Sequence, residues 1–132
     1  MSSESNTWRT AAAALGASGV AAGAFGAHAL KKSLQARGTA DSWRTAVSYQ
    51  LVHSLALLAL ATREVDRSST VPYNTAGKLW ASGTVLFSGS IYALSLGAGE
   101  KVKLLGPITP FGGLLMIGGW VALGMGHEGK VK

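Results

Sequence analysis

The chain has 132 residues, 14% of them charged and 48% hydrophobic, with 18 glycines besides. Ordinary soluble proteins carry roughly 25% charged residues, so this composition leaves too little polar surface to cover a water-exposed globule. Lys+Arg 12 exceeds Asp+Glu 6 for a net charge of +6, and the lack of cysteine excludes disulfide, thiolate-ligand and thiol redox chemistry.

The placement of the charges is more telling than their number. Thr10–Leu30, Thr45–Thr62, Leu79–Gly99 and Leu104–Gly126 contain none. At average charge density a given window of about 20 residues lacks charge with a probability of roughly 0.3%. Each run is also about the length that crosses a hydrocarbon core of ~30 Å at ~1.5 Å per residue. A helix on the surface of a soluble bundle needs a charged face, and these have none. The predicted fold is all-α, an integral membrane bundle of four antiparallel transmembrane helices forming one membrane domain over residues 1–132. Its expected location is a bacterial plasma membrane or an organelle inner membrane such as the mitochondrial one.

In chain order, Met1–Thr7 is polar and expected to fray. The first span is predicted over 8–30, opened by Trp8 as an interfacial anchor. Ala27-His28-Ala29 imitates a signal-peptidase site, but the preceding run is long for a signal core, and the segment is expected to stay. Lys31–Arg44 is a short basic connector in which Leu34 and Trp43 could lie in the interface. The second span is predicted over 42–62. Arg63–Lys78, with Ser68, Ser69, Thr70 and Pro72, is the one real loop. The third span is predicted over 76–97, a tight turn over Gly99–Gly106, the fourth span over 108–125, and then a polar tail.

Basic residues bracket the spans: Arg9, Lys31, Lys32, Arg44, Arg63, Lys78, Lys101 and Lys103. There they can snorkel to headgroup phosphates, so anionic lipid headgroups, rather than nucleic acid, are the expected partners of the charge. Other membrane protein subunits are expected partners as well. Orientation does not follow from the positive-inside rule. Arg9, Arg63, Arg67, Lys78, Lys130 and Lys132 on the terminal side are matched by Lys31, Lys32, Arg37, Arg44, Lys101 and Lys103 on the other.

Helices in lipid associate through close packing and shared hydrogen bonds, because lipid tails are as apolar as leucine. Gly16, Gly19, Gly23 and Gly26 form one stripe on the first span. Gly83 with Gly89 on the third, and Gly112 with Gly119 on the fourth, extend the same logic. All are read as helix-packing positions.

Polar residues inside the spans ask for partners, because an unsatisfied polar group in hydrocarbon is costly. His28, Gln50, His53, Ser90, Tyr92 and Thr109 fall in the half nearer Lys31–Arg44 and are expected to form one cluster. Gln50 and His53, three apart, share a helical face. Such a set serves either as interhelical glue or as a ligand or proton site. Two histidines without an intramembrane carboxylate do not make a zinc shell, so no metal or cofactor is expected. No nucleophile–base–acid order can be read, so no catalytic residue is assigned. Pro107 and Pro110 around Thr109 suggest a rigid helix entry, or alternatively a short re-entrant dip.

Five motifs occur in order. They are Gly23-Ala24-Phe25-Gly26-Ala27-His28-Ala29-Leu30, Ala46-Val47-Ser48-Tyr49-Gln50-Leu51-Val52-His53, Phe87-Ser88-Gly89-Ser90-Ile91-Tyr92, Ile108-Thr109-Pro110-Phe111-Gly112-Gly113 and Gly119-Trp120. Over Leu15 to Leu123 this resembles the small membrane protein family that includes bacterial YgdD and animal transmembrane protein 256. The resemblance implies a multi-pass helical protein and carries no established activity. The functional expectation is therefore a non-enzymatic structural or accessory subunit of a membrane complex. The alternative is a binder or carrier of a small polar ligand, lipid headgroup or proton through the polar cluster.

Overall fold

The computed structural model describes residues 3–63 and 70–126, and everything described outside the turns is helical. Helix α1 spans Ser3–Ala27, α2 Lys31–Arg37, α3 Ala40–Thr62, α4 Thr70–Ser95 and α5 Leu105–Met125, with a 3-10 turn over Ala98–Glu100. Helices α1, α3 and α5 are long and apolar enough to cross a membrane. Helix α4 is as long but carries more hydroxyl and amide side chains.

The long helices stand in a row, α1 beside α3, α3 beside α4 and α4 beside α5. The register follows from pairs of close approach. Along α1, Gly16, Gly19, Gly23 and Gly26 meet Ser54, Leu51, Val47 and Trp43 of α3, so numbers rise on one helix as they fall on the other. Gly83 of α4 meets Gly112 and Met116 of α5, and Gly119 meets Trp80. Glycine allows this approach because it lacks a Cβ, which brings backbones into direct dispersion contact. Gly89 departs from the expected pattern: it is exposed, and nothing lies within 4 Å of where its Cβ would be. It sits on the outer face of α4, away from α5.

Helix ends differ from the expected ones where side chains reach across. Residues Ser3–Thr7 belong to α1 rather than fraying, because Ser5 Oγ donates to the Ala61 carbonyl at 2.8 Å and Asn74 Nδ2 to Glu4 Oε1 at 3.0 Å. Helix α1 ends at Ala27, three residues short of the expected limit, and Leu30 N closes the turn on the Phe25 carbonyl at 2.8 Å. The basic connector is itself a short helix, α2, stopped by Gly38 at φ +67°. The loop expected over Arg63–Lys78 is shorter, since α4 begins at Thr70 with Pro72 in its first turn, where a missing N–H costs nothing; Ser68 and Ser69 lie outside the described residues. Helix α5 begins at Leu105 and runs unbroken, so there is no re-entrant dip at its entry. Pro110 lies inside it, and the carbonyl its ring faces belongs to Gly106, which has open space around it.

One end of the molecule gathers Ser5, Ala61, Asn74 and Tyr73, with Arg63 over the Tyr73 ring at 4.2 Å and Gly126 against the same tyrosine. The hydrophobic core, Ala12, Leu57, Leu60, Ala76 and Trp80, lies toward this end. At the other end Thr39 Oγ1 donates to the Ser95 carbonyl at 3.0 Å, and Arg37 lies against Gly97, whose φ of +92° only glycine adopts readily. The polar side chains lie between the core and this second end.

Candidate intramembrane polar site

Helix α3 supplies the centre of the site because it is flanked on both sides, and its residues at helical spacing point alternately to α1 and to α4. Gln50 and His53 are both buried, at 5% and 4% exposure. Both ends of the Gln50 amide are bonded. Its Nε2 donates to the Leu15 carbonyl at 2.9 Å and to Ser18 Oγ at 2.8 Å on α1, and its Oε1 accepts from the Tyr92 hydroxyl of α4 at 2.7 Å. Tyr92 in turn packs on Trp43, ring centroids 4.6 Å apart, and Trp43 Nε1 donates to the Ala22 carbonyl at 2.8 Å. One glutamine thus ties three helices together.

His53 is tied differently. Its Nδ1 lies 2.8 Å from the Tyr49 carbonyl, one turn back on the same helix, and its Nε2 lies 3.1 Å from Trp120 Nε1 of α5. A carbonyl only accepts and an indole N–H only donates, so the imidazole carries its proton on Nδ1 and accepts at Nε2. Trp80 and Trp120 flank it, with ring centroids 6.4 and 5.9 Å away and 4.6 Å from each other. Ser90 Oγ and Thr109 Oγ1 share a 2.6 Å hydrogen bond between α4 and α5, and Ser90 also reaches the Phe87 carbonyl. Ser88 Oγ donates to the Ala46 carbonyl at 2.8 Å, joining α4 to α3.

The six expected residues therefore do not make one connected network. Gln50 with Tyr92, Ser90 with Thr109, and His53 are three separate bonded groups. His28 belongs to none. Because α1 stops at Ala27, His28 falls in the turn beyond it, exposed and without a side-chain hydrogen bond among the described residues. Sequence reasoning missed Ser18 and Trp120 as partners. Ser18 lies one helical turn from Leu15 on the face that meets Gln50, and Trp120 was read as part of a motif rather than as a donor.

Among the described residues no three His, Asp or Glu side chains come together, so no metal ligand set is formed there. Nor do Ser90 and His53 pair, since each is bonded elsewhere. What the arrangement does chemically is exchange neutral hydrogen bonds between helices.

Apolar spanning helices braced by internal polar bonds define a multi-pass integral membrane protein. The family described as "Protein of unknown function (DUF423)" matches residues 22–113, and the chain belongs to it. Similar relatives carry the name UPF0382. The UPF0382 inner membrane protein YgdD of Escherichia coli is 39% identical over 108 residues, covering 81% of this chain and 78% of that protein. A UPF0382 membrane protein of Schizosaccharomyces pombe is 40% identical over 114 residues, covering 85% and 93%. One from Staphylococcus haemolyticus is 41% identical over 104 residues, covering 79% and 80%. No solved structure matches the chain.

Proposed function

We propose that this protein is a non-enzymatic bundle of four antiparallel membrane-crossing helices, acting as an accessory subunit of a membrane complex. One observation carries the reading: the polar groups of Gln50, His53, Ser90, Tyr92 and Thr109 are all engaged by bonds within the chain. A carrier or an enzyme needs such atoms available to a ligand. Internal bonds of this kind contribute on average about 0.6 kcal/mol each and act as glue.

Counting α4 as the fourth crossing rests on its position. It lies between α3 and α5, so Thr84, Ser88 and Ser90 are buried against protein and need not be apolar to reside in lipid. The accessory role rests on the open row. Helix α1 meets α4 through its first half, from Glu4 on Asn74 and Trp8 on Gly77 to Ala12 in the core beside Trp80, and its far face is exposed. That face presents Ala13, Ala17, Ala21 and Ala24, all exposed, bordered by Val20 and Phe25. Small side chains gain little from lipid but let another helix approach closely.

The test is isolation in a mild detergent of the wild type and of Ala17→Leu with Ala21→Leu. A stoichiometric partner retained by the wild type and lost by the variant, with unchanged yield, supports the reading. A solitary chain carrying a bound polar small molecule supports the carrier instead.

A further inference from the structure

A cavity of about 410 Å³ opens between the end of α1, helix α2 and the start of α3. Its inner wall is thin because Gly23 and Gly26 carry no side chains, and Trp43 and Val47 of α3 back it. Trp43 is fixed there by its bond to the Ala22 carbonyl, and α2 is fastened over the opening by Leu34, which is 1% exposed. The walls are thus apolar and held in place from three sides.

The rim is not apolar. Lys31 and Arg44 border the cavity, with Gln35 above and Ser48 one turn below Arg44. Lys31 has no ion-pair partner among the described residues. Arg44 pairs with Asp41 at 2.8 Å, but both side chains are largely exposed, at 76% and 96%, so water and ions compete for that pair. Two cations against one carboxylate leave the rim positive.

Two helix ends border the same space. Ala40, the first residue of α3, also borders the cavity, and Thr39 gives its N-terminus no side-chain cap because its hydroxyl is turned to Ser95. The N-terminal end of α3, the positive end of its dipole, therefore lies beside the cavity. The C-terminal end of α1 lies there too, with His28 N and Leu30 N taking up the Ala24 and Phe25 carbonyls of its last turn. Glu100, at the same end of the molecule, borders a different cavity with Arg37.

From this geometry we infer that the α1–α2–α3 cavity is a binding site for an anionic membrane phospholipid. The phosphate lies between Lys31 and Arg44, and one acyl chain runs along Gly23 and Val47 toward the membrane interior. Charge complementarity selects the headgroup, and the apolar continuation below it selects a lipid over a free anion. Basic pockets between helices at the headgroup level bind anionic lipids in this manner. The site is independent of the polar bonds around Gln50 and of any partner on α1.

The test is native mass spectrometry of the purified full chain, titrated in detergent with phosphatidylglycerol or with phosphatidylcholine. The wild type is expected to retain one phosphatidylglycerol in preference to phosphatidylcholine. Lys31→Gln with Arg44→Gln weakens that retention by about tenfold. Lys101→Gln with Lys103→Gln, an equal charge change outside the cavity, leaves it intact. Ser48→Trp, which fills the groove without changing charge, weakens it at least as much as the first pair, and stands in should that pair not fold. Equal losses in both charge pairs, or equal retention of the two lipids, would overturn the site. Displacement of the lipid by millimolar inorganic phosphate would overturn its assignment to lipid.

Discussion

Two glycines of the same sequence class should respond oppositely to the same substitution. A Cβ at Gly112 would stand 2.5 Å from Phe87 N and 2.9 Å from both the Gly83 carbonyl oxygen and Phe87 Cα, all backbone atoms that cannot rotate away. Ordinary contact begins near 3.4 Å, so α4 and α5 must part by about 1 Å, enough to forfeit a quarter to a half of the dispersion energy along the seam. Overpacking of this kind costs about 1–3 kcal/mol. Replacing a helical glycine by alanine returns about 0.5–1 kcal/mol. Gly112→Ala is therefore expected to lose on the order of 1 kcal/mol net, and up to about 2.5. Gly89→Ala meets nothing within 4 Å and should be neutral or slightly stabilising. Unfolding in mixed micelles of mild and denaturing detergent, followed by tryptophan fluorescence, measures both. Equal midpoints for the two variants would refute the close packing of α4 on α5.

Tyr92→Phe removes the donor to Gln50 Oε1 and should cost about 0.6–1.7 kcal/mol in the same assay, whereas Gln50→Leu, which loses three bonds, should cost more; the reverse order would show that Tyr92, not Gln50, is the tie. Trp120→Phe leaves His53 Nε2 without its donor and should cost about 1–3 kcal/mol, while Trp8→Phe, which keeps its contact with Gly77, should cost less. Because the chain has no cysteine, Ser90→Cys with Thr109→Cys should cross-link rapidly on oxidation. Gly89→Cys with Thr109→Cys should cross-link far more slowly, and similar rates would contradict the register of α4 on α5.

The apolar runs located the interiors of the long helices but not their ends, since ends are set by contacts remote in sequence. Glu4 and Ser5 read as a polar tail until Asn74 and the Ala61 carbonyl supply partners 70 and 56 residues away. The stripe on α1 was legible because its spacing alone puts Gly16 to Gly26 on one face. For Gly89, spacing placed it beside a stripe but could not say which side of α4 turned outward. Gln50 and Tyr92 could be matched by depth, because both lie a similar number of residues from charged ends. His28 could not be placed, because its position depended on where α1 stops. Trp120 was invisible as a partner because an indole is mostly hydrocarbon, and only geometry shows which way its single N–H points.

The proposed bundle of four crossings requires that α4 cross the membrane together with α1, α3 and α5. Single cysteines at Ser3, Gly38, Glu100 and Gly126, introduced into the cysteine-free chain, test this most directly with a membrane-impermeant maleimide on sealed vesicles of each orientation. Ser3→Cys and Gly126→Cys are expected to react from one side, and Gly38→Cys and Glu100→Cys from the other. Reaction of Gly126→Cys from the side opposite Ser3→Cys, or of Glu100→Cys from the same side as Ser3→Cys, would contradict it.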